Sequence, residues 1–110
     1  MDILIQADGL TLTDSMRNAV EEKIARIEQF APRALRARVR LRRASAHPSQ
    51  AQYVARVLVE VPGDDVSAEQ IGPDPLLALD IVAEKIEGRL RRLKDERITR
   101  RHQSGAPVRD

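Results

Sequence analysis

Residues 35–43, LRARVRLRR, constrain the fold more than any other stretch of the chain. Arginine stands at 36, 38, 40 and 42, and Ala37, Val39 and Leu41 fill the positions between them. A period of two sends alternate side chains to opposite faces of a strand, so one face here is all guanidinium and the other all apolar. A sheet containing such a strand has to be covered on one side only.

The neighbouring segments supply the cover. Residues 2–7 and 53–61 alternate in the same way, with Ile3, Ile5 and Ala7 in the first and Tyr53, Ala55, Val57, Val59 and Val61 in the second. Pro62-Gly63-Asp64-Asp65 is a turn signal that predicts a hairpin into a short fourth strand over 66–69. Between the first two strands Met16, Val20, Ile24, Ile27 and Ala31 recur at helical spacing. Thr13 is placed to cap that helix, Asp14 suits its positive end, and Pro32 stops it. Ala19, Lys23, Arg26 and Phe30 lie along one edge of the stripe, Glu21 and Glu28 along the other. A second helix is predicted from Pro75, after Asp74 as cap, to about Arg101. Its stripe is Leu79, Val82, Ala83, Ile86, Leu90 and Leu93.

The expected architecture is therefore α+β, a β-α-β-β-β-α two-layer sandwich with a four-stranded sheet and two helices packed on one face. Residues 1–101 form one domain in this reading, residues 44–51 with His47 are a connection, and residues 102–110 are a disordered tail.

Charge is segregated. Residues 33–43 carry six arginines and no acid, and residues 85–101 carry eight basic against three acidic groups, on a chain whose net charge is only +2. Two basic blocks make a local positive field if folding brings them together, which points to a polyanion as partner. Lys85, Arg89 and Arg92 run down one edge of the second helix, and Arg91 and Lys94 lie on the other. If the Lys23 and Arg26 edge faces the Lys85, Arg89 and Arg92 stripe, the cations join across the groove between helices. For the stripe of the second helix the plain alternative is a solvated face whose long stems cover apolar area.

Other chemistries find little support. The chain has no cysteine, so it holds no disulfide, thiolate nucleophile or Cys-ligated metal. His47 and His102 lack carboxylates at ligand spacing, and neither Asp64-Asp65 nor Asp80 with Glu84 has a nucleophile beside it. No glycine-rich phosphate loop is present, and no stretch approaches the roughly 20 apolar residues that span a bilayer. A peripheral membrane role is disfavoured because the second helix has no Trp or Phe anchor. The expectation is a cytoplasmic, non-enzymatic protein without metal, cofactor or small-molecule substrate. Phe30 and Tyr53, the only aromatics, fall on apolar faces and are expected in the core, which favours phosphate and shape recognition of folded RNA over base stacking.

LTLTDSMRNAVEEKIARIEQF in the first helix, YVARVLVEVPG followed by Ala68-Glu69, and DPLLALD leading into EKIEGRLRRLK stand in an order and spacing that resemble one family. It is the ribosome hibernation promoting factor family, also called ribosome-associated translation inhibitors or sigma-54 modulation proteins. The resemblance implies the same sandwich and binding to the small ribosomal subunit, in the channel of messenger and transfer RNA, through basic helix residues. By position it carries that role to Lys23, Arg26, Arg33, Lys85, Arg92 and Lys94, with Arg91 matching many members. Arg89 joins them as the neighbour of Gly88, which stands where the family usually has arginine. Arg36, Arg38, Arg40, Arg42 and Arg97 are candidates for an additional RNA contact, the four strand arginines having as alternative an exposed face that discourages edge pairing. The chain resembles the short type, without the second domain of long members, and its short, non-acidic tail leans toward ribosome pairing with a separate small factor. The free chain is expected to be monomeric. The older family name leaves a rival open, a protein-interaction module that regulates a transcription factor and binds no RNA.

Overall fold

A computed structural model describes residues 1–44 and 52–105, with side chains through residue 96. The elements follow the expected order: β1 (Asp2–Asp8), α1 (Asp14–Phe30), β2 (Arg36–Arg43), β3 (Tyr53–Val61), β4 (Asp64–Gly72) and α2 (Pro75–Gly105). The sheet order is β1-β2-β3-β4, with β1 and β2 parallel and the other two pairs antiparallel. A parallel pair cannot be closed by a tight turn, and α1 supplies the crossover between β1 and β2.

Both helices lie on one side of the sheet, where Ala37, Val39, Leu41, Ala55, Val57, Val59, Val66 and Ala68 are buried. The expected helix stripes meet them. Val20, Ile24 and Ile27 of α1 and Leu79, Val82 and Ile86 of α2 are wholly buried, and Leu90 nearly so. Local signals set the helix starts. The Thr13 hydroxyl accepts from the Met16 amide at 3.1 Å, and the Asp74 carboxylate accepts from the amides of Leu76 at 2.7 Å and Leu77 at 3.3 Å. Each cap satisfies amides that the helix itself cannot pair.

Pro62-Gly63 forms the two-residue turn between β3 and β4, with Gly63 at φ 84°, where only glycine sits without strain. Gly9 is also left-handed, at φ 73°, and an added Cβ there would stand 3.2 Å from the Arg43 Cβ.

Four expectations need correcting. The fourth strand is longer than 66–69, because β4 pairs with β3 along its whole length, from Val61 opposite Asp64 to Tyr53 opposite Gly72. Ladder hydrogen bonds outweigh the low strand preference of Asp64, Asp65 and Gln70. The second helix passes Arg101 and runs through Gly105, since after Gly88 no glycine or proline occurs before Gly105 and Pro107. Phe30 and Tyr53 are half-buried, not interior. The second β-strand begins at Arg36, and Leu35 before it is exposed. The connection 45–51 with His47, the side chains of Arg97 and His102, and residues 106–110 lie outside the described residues. Among the described residues no helix is long and apolar enough to cross a membrane.

Gly88 sits in α2, and a Cβ built there meets nothing within 4 Å. Gly88→Ala should therefore raise unfolding stability by about 0.5–1 kcal/mol, read as a higher urea midpoint with unchanged slope.

Candidate nucleic-acid interface

The helical layer carries its cations in three settings. In the groove between the helices the Lys23 and Arg26 edge of α1 does face α2, but the α2 edge it meets is the one bearing Asp80, Glu87, Arg91 and Lys94. Lys23 pairs with Asp80, and Arg26 Nε lies 3.0 Å from Glu87 Oε1. Glu87 is the one buried charged residue among the described residues, at 7% exposure, whereas the Arg26 side chain is 71% exposed. The carboxylate thus anchors Arg26 through Nε from below, and the rest of the guanidinium stands in water.

On the far flank of α2, Lys85 and Arg89 lean over β4. Lys85 Nζ donates to the Gln70 side chain at 2.9 Å and to the Glu69 carbonyl at 3.5 Å, and Arg89 donates to the Ser67 carbonyl. β4 is an edge strand, and these contacts occupy carbonyls that would otherwise invite another strand. Lys85, Arg89 and Arg92 therefore do not join Lys23 and Arg26 across the groove as the sequence suggested. At 100° per residue the two edges of α2 diverge, and which edge meets α1 is set by packing.

The third setting is where α1 ends. Arg33, just past the helix, and Lys94 of α2 line a hollow of about 390 Å³ whose apolar wall includes Phe30, Val61, Leu90 and Leu93. Beside it the Arg91 guanidinium stands 4.9 Å from the centre of the Phe30 ring, within cation–π range. Among the described residues no carboxylate or other hydrogen-bonding partner holds Arg33, Arg92 or Lys94. Like Arg17 near the start of α1, they could meet a phosphate without first giving up a contact. The hollow was not legible in the sequence, because it arises where the end of α1, the β3–β4 turn and α2 converge.

The open face of the sheet differs. The register sets Arg36, Arg38, Arg40 and Arg42, with Arg56 of β3, among Asp2, Asp8, Glu60, Asp65 and Glu69, five cations to five carboxylates. Glu60 Oε2 lies 3.3 Å from Arg38 Nε and 4.0 Å from Arg36, an ion pair whose angles do not make a hydrogen bond, and Arg40 Nε donates to Asp8 at 2.9 Å. The formal charge of this face is balanced.

Against known sequences, residues 3–98 match the family of sigma 54 modulation protein / S30EA ribosomal protein. The chain belongs to this family. Two curated relatives are each 30% identical, both called ribosome hibernation promotion factor: that of Deinococcus radiodurans over 99 residues and that of Staphylococcus aureus over 95. The matches cover 90% and 82% of this chain but 51% and 46% of those proteins, so the chain spans about half the length of the curated relatives it matches. Among solved structures, the N-terminal domain of Protein Y from Thermus thermophilus superposes with a TM-score of 0.71 at 27% identity, over 84% of this chain and 99% of that domain. A ribosomal subunit interface protein from Coxiella burnetii, at 19% identity, shares the fold with a TM-score of 0.74 over 86% of this chain and 99% of its own.

Within this S30EA-family fold, the Arg26–Glu87 pair predicts an asymmetry. Arg26→Ala leaves a nearly buried carboxylate without its counter-ion and should cost about 1–3 kcal/mol. Glu87→Gln leaves an exposed arginine that water solvates and should cost less than about 1 kcal/mol. Urea unfolding of the two variants checks the order.

Proposed function

We propose that this chain silences ribosomes by binding the small subunit through its helical layer, in the channel used by messenger and transfer RNA, and sterically excluding both. The observation that carries this reading is that Arg33 and Lys94 at the hollow and Arg92 on the outer flank of α2 have no compensating partner among the described residues, in a family whose curated relatives are called ribosome hibernation promotion factors. Lys23, Arg26, Arg91, Lys85 and Arg89 extend that surface, the paired ones reaching phosphate by exchanging a carboxylate or carbonyl for it. The helical layer is favoured over the open sheet face because that face already balances its own charge, so Arg36, Arg38, Arg40 and Arg42 add little net attraction for a polyanion. The proposed role is binding by charge and shape.

Phosphate pairing makes affinity fall with salt, by a log-log slope of roughly 0.7–0.9 per phosphate neutralised. Cosedimentation with small subunits across a salt series should show a steep dependence for the parent. Arg33→Ala, Arg92→Ala and Lys94→Ala should each flatten that slope by roughly one phosphate's worth while leaving thermal unfolding unchanged. Retention of the parental slope by all three would overturn the helical-layer surface.

A further inference from the structure

The hollow at the end of α1 is built for more than a phosphate. Four of its walls, Phe30, Val61, Leu90 and Leu93, are apolar, and two of these, Phe30 and Leu93, are only half-buried, so hydrocarbon surface stands wet beside the cations Arg33 and Lys94. A phosphate alone makes no use of an apolar wall. A nucleotide does, because a base offers a flat face that stacks on aromatic or guanidinium planes while its own phosphate stays anionic. The volume of about 390 Å³ lies toward the lower end of the roughly 300–1,000 Å³ typical of small-ligand sites, room for a single nucleoside unit. Arg91, packed over Phe30, stands on one side of the ring and adds a third positive group next to the mouth.

We infer that this hollow receives one unpaired nucleotide of the folded RNA, with its base against Phe30, Leu90 and Leu93 and its phosphate between Arg33 and Lys94. The inference rests on the proposed ribosomal role and adds a base-stacking contact to a surface otherwise reading only phosphate and shape.

The test uses the full chain with purified small subunits and two variants one residue apart. Leu93→Asn removes the apolar wall without changing the net charge; Arg92→Glu changes it by two units on the flank of α2 that faces away from α1. If phosphate attraction is all that matters, Leu93→Asn binds like the parent and only Arg92→Glu loses affinity. If a base occupies the hollow, Leu93→Asn loses at least about fivefold relative to the parent, since stacking of one base is worth that factor or more. Leu93→Met, which keeps the apolar wall, should bind within about twofold of the parent, and circular dichroism confirms that each variant is folded. In parallel, ultraviolet irradiation of the parent complex followed by peptide mapping should find a nucleotide joined to the segment 27–33, which contains Phe30. Parental affinity of Leu93→Asn, or RNA adducts that spare this segment, would overturn the inference while leaving the ribosomal role standing. Failure of the parent itself to cosediment would remove both.

Discussion

Val57 and Val59, at the centre of β3, are closed to water because Leu79, Val82 and Ile86 of α2 lie on the helical side of the sheet above them. The same strand register that turns these valines inward turns Arg56, Leu58 and Glu60 outward. A sheet with this inheritance can be covered once only, and covering it twice would bury β2's row of guanidinium groups at a cost no ion pairing recovers. Both helices must therefore share one side. Sharing a side makes them neighbours, and the groove between them is a consequence of hydrophobic burial before it is a feature of function.

What the groove can do is then decided by the charges that packing leaves uncompensated. Basic residues are numerous on both helices, yet they are not equivalent. Lys23 and Arg26 each meet a carboxylate of α2, and Lys85 and Arg89 close the carbonyls of an edge strand. Among the described residues Arg33, Arg92 and Lys94 have no ion-pair or hydrogen-bond partner. A phosphate approaching the first group must displace a partner, and one approaching the second group displaces only water. The difference sorts a basic surface into residues that hold the fold together, residues held ready at a fixed angle, and residues free to bind. Arg26 belongs to the middle class, pinned at Nε by a buried Glu87 and otherwise exposed.

Much of this was legible beforehand. Thr13, Pro32, Asp74 and Pro75 mark three helix boundaries by backbone chemistry that acts within a few residues, and alternation identifies β2 and β3 by itself. The candidate cations were legible as a set from their clustering. Their partners were not. Asp80 and Glu87 stand seven residues apart on one edge of α2 together with Arg91 and Lys94, a mixed-charge edge that reads in isolation like any solvated helix surface. Likewise the length of β4 escaped notice, because Asp64, Asp65 and Gln70 have no strand preference of their own and are extended only by pairing with β3.

By itself, then, the sequence determined the element order, the apolar faces and the density of positive charge, since each depends on periods and caps that span no more than a turn or a strand. Only the tertiary structure decided which edge of α2 meets α1, which cations are spoken for, and that Phe30, Leu90 and Leu93 enclose a hollow beside Arg33 and Lys94. Those outcomes depend on the rotation of one helix about its axis against another, an angle set by how side chains from distant parts of the chain fill a shared volume.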